Sequence, residues 1–359
     1  MKNQLNNLQI SFLLFGVIVG YGILGLPKNL AEVAGTGGWF SLVLSTIIAI
    51  LITYMFVYLG LKYENKTLDE YSKLLTGKFL TYFILLLYSI YFFLFFTYIN
   101  RIMCEVIKLT ILFNTPVWAL MLLVLIVAYY SISRGINGIA NFFELYGMII
   151  IGIGLIVFLL IFTQGESINL KPFFIRKDIK KYFKAIAIVI PFLGMEILTF
   201  IPINKKVNKN IFKYQFIMLI IIGFFYIFEY ESCLAVIGEE DIIHYKNTLI
   251  AVVRRVDLRF LEFLERIDGI VISMWIMAAF CTIVITAYGS IYFMDKIAKK
   301  INAKIIGLIL IILSFLVGLI PETFSEVEKI LEFTSYIGLI VAIIIPLILI
   351  ILSMVKKYD

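Results

Sequence analysis

Glu196 stands in the run IPFLGMEILTFIP, just after Pro191 and Gly194. A carboxylate in surroundings this apolar can carry a proton, pair with a cation or ammonium group, or receive backbone N–H groups that the proline and glycine have freed from a helix. On insertion scales an acid at the centre of a membrane helix costs roughly 2.5 to 3.5 kcal/mol, so it is kept for a partner, a substrate or a proton. The plainer reading is a structural hydrogen bond to freed amides. A second run, GYGILGLP, crowds Gly20, Gly22, Gly25 and Pro27 together. That density of helix breakers predicts local unwinding; close packing of small residues against a neighbouring helix is the other reading. Enzyme chemistry has little to work with: there are no paired carboxylates by spacing, no His or Cys cluster, and no nucleophile with a base in reach. His244 is the lone histidine and lies in a polar connection, while Cys104, Cys233 and Cys281 are widely spaced and read as small apolar residues. No catalytic residue, metal site or cofactor is assigned.

The elements that carry these runs follow from composition. The 359 residues are 62% hydrophobic and 15% charged, with a mean hydropathy of +1.03, so the solvent for most of the chain is lipid. The fold class is an all-α integral membrane protein. Apolar runs near 10–34, 38–60, 79–109, 116–133, 141–163, 184–203, 213–236, 266–294, 304–320 and 334–354 predict about ten transmembrane helices. They form a single membrane domain, 1–359. Between the second and third runs, Thr67 and Glu70 have capping-box spacing, Leu68, Tyr71, Leu74 and Leu75 share a face, and Gly77 offers a left-handed end. A short interfacial helix is expected there. The sequon at Asn65 is read as accidental.

The net charge of +7 resides in the connections between runs, so it speaks for topology and phospholipid contact, with no nucleic acid as partner. Lysines near 62–78, 205–213, 296–304 and 356–357 share the side of the N-terminus, which places both termini in the cytoplasm. The basic groups at 171–184 and 254–259 oppose this, and a missed or extra span is the alternative account.

Breaks in the first and sixth of ten spans point to an inverted repeat of five plus five, about 10–163 and 184–354, with a binding site at the repeat interface. Half-helix N-termini there accept a carboxylate, and unpaired carbonyls accept an ammonium group or cation. A zwitterion such as an amino acid fits.

Four segments in order, Gly20 to Pro27 followed by Gly38 and Trp39, KTLDEYSKLLTGK, PFLGMEIL, and FLEFLERIDGIVISMW, resemble the B subunit of nutrient germinant receptors of bacterial spores. That family is a branch of the amino acid-polyamine-organocation transporter superfamily, and the resemblance runs end to end. It implies a leucine-transporter-like fold whose spans 1, 3, 6 and 8 surround a small-molecule pocket. The implied binding residues are Gly22, Ile23, Leu24 and Gly25 in span one, and Gly194, Met195 and Glu196 in span six. Tyr91, Phe95 and Tyr98 from span three and Met274 and Trp275 from span eight form the walls, with helix packing as the alternative role of the aromatic stripe. Arg266 and Asp268 are expected to pair at the outer end of span eight, beside a lid-like connection, with simple helix-end anchoring as the alternative role. The resemblance also implies partner A and C receptor subunits, the inner spore membrane, and a small germinant as ligand.

Two functions stay open. One is a receptor that binds an amino-acid germinant and signals to its partners. The other is a proton- or sodium-coupled amino acid transporter, against which stand the lack of a lysine in the apolar part of span five and the scatter of Ser273, Thr282 and Thr286 along span eight. A channel-forming or scaffolding subunit is a third reading.

Overall fold

The computed structural model describes residues 4–185, 192–245, 247–255 and 267–356, without the side chains of Tyr21, Leu24 and Ile267. Every regular element among them is helical. The order is α1 (Asn7–Ala34), α2 (Gly38–Lys62), α3 (Leu68–Thr110), α4 (Val117–Ser133), α5 (Gly135–Thr163), α6 (Ile179–Ala185), α7 (Ile211–Ile237), α8 (Glu239–Ile242), α9 (Thr248–Val253), α10 (Ile267–Ile297), α11 (Ala303–Gly318), α12 (Phe324–Leu339) and α13 (Ile345–Val355). Six helical stretches among the described residues are long and apolar enough to cross a membrane, and α4, α11 and the first part of α1 are shorter apolar helices. Leu51, Phe83, Leu123, Ile156, Leu316 and Ile351 are each more than half exposed. In water that would be a continuous sticky surface; in lipid it is the expected outer face of a membrane protein.

The interfacial helix forms as the local signals require. Thr67 and Glu70 close a capping box, with the Thr67 N–H donating to Glu70 Oε2 at 3.2 Å. Leu68, Tyr71 and Leu75 are buried, and Gly77 takes φ 81°, ψ 175° before the long apolar part of α3 begins.

Inside the bundle, α3 and α10 are joined by a reciprocal pair. Ser89 Oγ donates to Ser290 O at 3.1 Å and Ser290 Oγ to Ser89 O at 3.0 Å. Small hydroxyl residues of this kind let membrane helices approach closely and still bond each other. At one end of the bundle, Gln4 Nε2 donates to Asn65 Oδ1 (3.1 Å) and Lys356 Nζ to Leu75 O (2.8 Å), so both chain ends lie with the α2–α3 connection. At the other end, Thr36 donates to Pro172 O (2.6 Å) and Trp39 Nε1 to Phe173 O (2.9 Å), which seats the lysine-rich segment before α6 over the α1–α2 junction. The basic segment at 171–184 therefore lies at the end of the bundle away from Gln4 and Lys356.

One expectation is corrected. The first span does not unwind at GYGILGLP: α1 is helical from Asn7 through Ala34 with Pro27 inside it. Gly20 lies against the Ala278 carbonyl and the Thr282 hydroxyl of α10, and Gly22 against the Tyr226 hydroxyl of α7, too close for any Cβ. These glycines serve close packing, and one proline is not enough to open a helix held on two sides.

Gly77→Ala tests the interfacial hinge. Nothing lies within 4 Å of a Cβ there, so its expected cost, roughly 1–3 kcal/mol in detergent unfolding, is backbone strain alone. Gly152→Ala, equally unobstructed but helical, should be neutral or stabilising by up to about 1 kcal/mol.

Candidate functional site

Pro191 and Pro202 bracket a segment that does not continue α6 as a regular α-helix. From Phe192 the chain turns through Gly194, at φ 145°, into a short 3-10 stretch, Met195–Phe200, all of it buried. Gly194 is required twice over: its φ suits glycine alone, and a Cβ would come within 2.6 Å of Val17 on α1.

An interrupted backbone in a buried membrane segment must find its hydrogen bonds locally. Glu196 takes part in several of them. Its Oε2 accepts the Gly194 N–H at 2.9 Å, its Oε1 accepts the Tyr91 hydroxyl of α3 at 2.6 Å, and its carbonyl accepts the Thr199 hydroxyl at 2.5 Å. Tyr91 in turn stacks on Phe95, with ring centroids 5.8 Å apart at 22°. Glu196 is 1% exposed, and among the described residues no Lys or Arg pairs with it. It joins a broken helix to an aromatic wall, and any displacement of the break must pull on Tyr91.

A family model described as "Spore germination protein" matches residues 4–356. The chain belongs to the spore germination protein family. It is 25% identical over 358 residues to Spore germination protein YndE of Bacillus subtilis, covering 99% of this chain and 98% of that one. Spore germination protein A2 of the same organism is 27% identical over 361 residues, at 99% and 96% coverage. Among solved structures, the chain is similar to MhsT in complex with L-phenylalanine, with a TM-score of 0.67, 15% identity and 99% of both chains covered. It is similar also to a substrate-bound, outward-open Na+-coupled sialic acid symporter, with a TM-score of 0.67, 12% identity, and 94% of this chain and 77% of that one covered. These likenesses give the fold, that of the leucine-transporter group.

This family member brings only part of the expected set together. Tyr91, Phe95, Gly194, Met195 and Glu196 form one buried cluster around the break, whose glycine touches α1 at Val17 and Ile18. Gly22 lies elsewhere on α1, facing Tyr226; Ile23 is fully buried, and a Cβ at Gly25 would lie 3.7 Å from the Asn29 side chain. The Leu24 side chain is outside the described residues. Tyr98 is buried farther along α3. Met274 belongs with α5: its sulfur approaches Gly154, and it lines an apolar crevice of about 340 Å³ with Ile150, Ile153 and Met277. Trp275 is buried, and its indole N–H has no hydrogen-bond partner among the described residues. Asp268 meets Arg254 at 3.9 Å, whereas Arg266 lies outside the described residues.

Three features escaped the sequence reading. Tyr226 donates to Ile18 O at 2.9 Å, pinning α7 to α1. Thr282 of α10 reaches Gly16 O and Val17 O at 3.0 and 3.2 Å, so oxygens open to a cation in principle are already met by a hydroxyl. The third is a π-turn, Ile340–Ile344, between α12 and α13. There the Ile345 N–H reaches back to Ile340 O, and Pro346 has no N–H to give, so Val341 O loses both helical donors. Tyr88, three residues before Tyr91, donates to that carbonyl at 2.7 Å. Pro346 was the signal that could have revealed it.

Tyr88→Phe should cost about 1–3 kcal/mol in unfolding free energy, because a buried carbonyl is left unpaired. For the other break, a double-mutant cycle of Tyr91→Phe with Glu196→Gln should give a coupling of about 1.5–3 kcal/mol, the range for a hydrogen bond to a charged group. A coupling near zero would mean that the 2.6 Å contact does not hold the break.

Proposed function

We propose that this chain is the membrane subunit of a spore nutrient germinant receptor, binding a small germinant, an amino acid by chemistry, at the span-six break. The observation that carries the proposal is the Glu196 carboxylate, buried and bonded to both a released backbone N–H and Tyr91. A zwitterion arriving at Phe192–Phe200 has backbone donors for its carboxylate and acceptors for its ammonium group. To use them it competes with the bonds that hold the break. Binding thereby shifts the balance between two arrangements of α3 and span six, and that shift is the signal.

In this reading the chain is a single membrane domain of ten spans in two inverted repeats, about 10–163 and 184–354, with both termini in the cytoplasm. It resides in the inner spore membrane and acts through A and C receptor subunits. Gly22, Ile23, Leu24, Gly25, Tyr98, Met274 and Trp275 join the Tyr91, Phe95 and Gly194–Glu196 cluster only when the helices around the break move. Membership of the spore germination protein family supports the biological setting, and the match to a transporter fold solved with L-phenylalanine supports the ligand class.

The second reading is a proton- or sodium-coupled amino acid transporter, favoured by the likeness to a Na+-coupled symporter. The Thr282 hydroxyl on the α1 carbonyls weighs against sodium at that place.

Thermal unfolding of the purified protein against a panel of amino acids tests the site. A cognate ligand at 100 times its Kd should add about 2.7 kcal/mol of stability, and Glu196→Gln should lose that gain while remaining folded. Uptake of the same amino acid into vesicles then separates the readings: binding without uptake supports the receptor, and ion-driven uptake supports the transporter. No stabilisation by any amino acid would overturn the proposed ligand class.

A further inference from the structure

Glu229 lies within α7 at 0% exposure, and neither of its carboxylate oxygens has a hydrogen-bond partner among the described residues. Nothing in the reading above uses it. Unlike Glu196, it satisfies no backbone, so a structural bond does not account for its presence in a membrane helix.

The neighbours of α7 locate it. At about 100° per residue, Glu229 points between the directions of Tyr226 and Phe225. Tyr226 bonds α1 through Ile18 O, and Phe225 packs on Phe158 of α5 with ring centroids 4.9 Å apart. The side chain of Glu229 is therefore directed between α1 and α5. Its level is set by the turns on either side: Tyr226 lies against Gly22, and the Tyr230 hydroxyl reaches Gly35 O at 2.5 Å. Between those two positions α1 carries Pro27, whose missing N–H leaves the Ile23 carbonyl without its helical donor.

Among the described residues, no positive charge is placed to complement Glu229. Neither α5 nor α9 contains Lys or Arg, α2 has only Lys62 at its end, and α10 has only Lys296 near its end. Lys28, the first cation of α1, faces Glu32 at 3.7 Å. The titratable groups beside Glu229 are Tyr226 and Cys233 on its own helix, and neither supplies positive charge.

We infer that Glu229 is the counter-ion of a second site, between α1, α5 and α7, which accepts a compact monocation. The cation is sodium or potassium, or the ammonium end of a small amine. The site is separate from the Glu196 break, where the carboxylate already has its donors.

The test is thermal unfolding of the full chain at constant ionic strength in choline chloride, with sodium, potassium or methylammonium chloride replacing it. The native protein should show a saturable rise in Tm with at least one compact cation, and Glu229→Gln, which keeps the shape, should show none. A response to sodium or potassium identifies an inorganic ion; a response to methylammonium alone identifies an amine. Glu196→Gln should retain the response, so this inference stands or falls apart from the germinant site. Should Glu229→Gln not fold, labelling of native Glu229 by dicyclohexylcarbodiimide, read by mass spectrometry, takes its place, and the same cation should protect the residue. An equal rise in Glu229→Gln, labelling indifferent to every cation, or no rise with any cation would overturn the site and leave Glu229 a neutral packing residue.

Discussion

A backbone that leaves the helix inside a membrane has no water to bond with, and every released N–H and carbonyl must find a partner from the protein itself. The segment from Phe192 to Phe200 meets part of this constraint with one carboxylate, at Gly194. Glu196 folds back on the Gly194 N–H and reaches across to Tyr91, so a single side chain both stabilises the break and ties it to α3. The surrounding contacts hold that arrangement in place. The Ser89–Ser290 pair fixes α3 to α10, Thr282 fixes α10 to α1, and Tyr226 fixes α7 to α1. Each bond ends on a main-chain carbonyl, so each sets the position of a helix rather than of a side chain.

The same face of α3 serves two interruptions. Tyr88 donates to the carbonyl orphaned by the π-turn before α13, and Tyr91 donates to the carboxylate at the break beside Gly194. The two hydroxyls are three residues apart, close to one helical turn, so a small rotation or shift of α3 strains both bonds together. Gly338 of α12 lies against Tyr91 and Leu193, which brings the three segments into direct contact. A ligand that competes for either hydroxyl therefore acts on both broken segments at once, and packed helices answer such a disturbance by moving between discrete arrangements.

Much of this was legible from residue types. Long apolar runs marked the helices because lipid demands them, and Thr67, Glu70 and Gly77 marked the interfacial helix because capping and a positive φ are local. Pro191, Gly194 and Glu196 marked the break for the same reason: their chemistry acts on their own backbone. What was illegible depends on partners distant in sequence. The glycines of α1 look like an unwinding signal until the Ala278 carbonyl and the Tyr226 hydroxyl are seen pressed against them. Met274 reads as a pocket wall by its place in span eight, yet its sulfur lies at Gly154 of α5. Tyr88 and Tyr91 sit within an aromatic-rich stretch, and only the fold shows which two of those rings give their hydroxyls to broken helices.

The most direct measurement is photo-crosslinking of the intact protein with a diazirine analogue of a stabilising amino acid, followed by mapping of the adduct. The account predicts attachment within Phe192–Phe200 or on α3 between Tyr91 and Tyr98, competed away by the unmodified amino acid. Attachment instead in the polar cavity of about 300 Å³ lined by Glu32, Asp178, Lys184 and Glu239, at the far end of α1, would contradict it and move the ligand away from the broken helix.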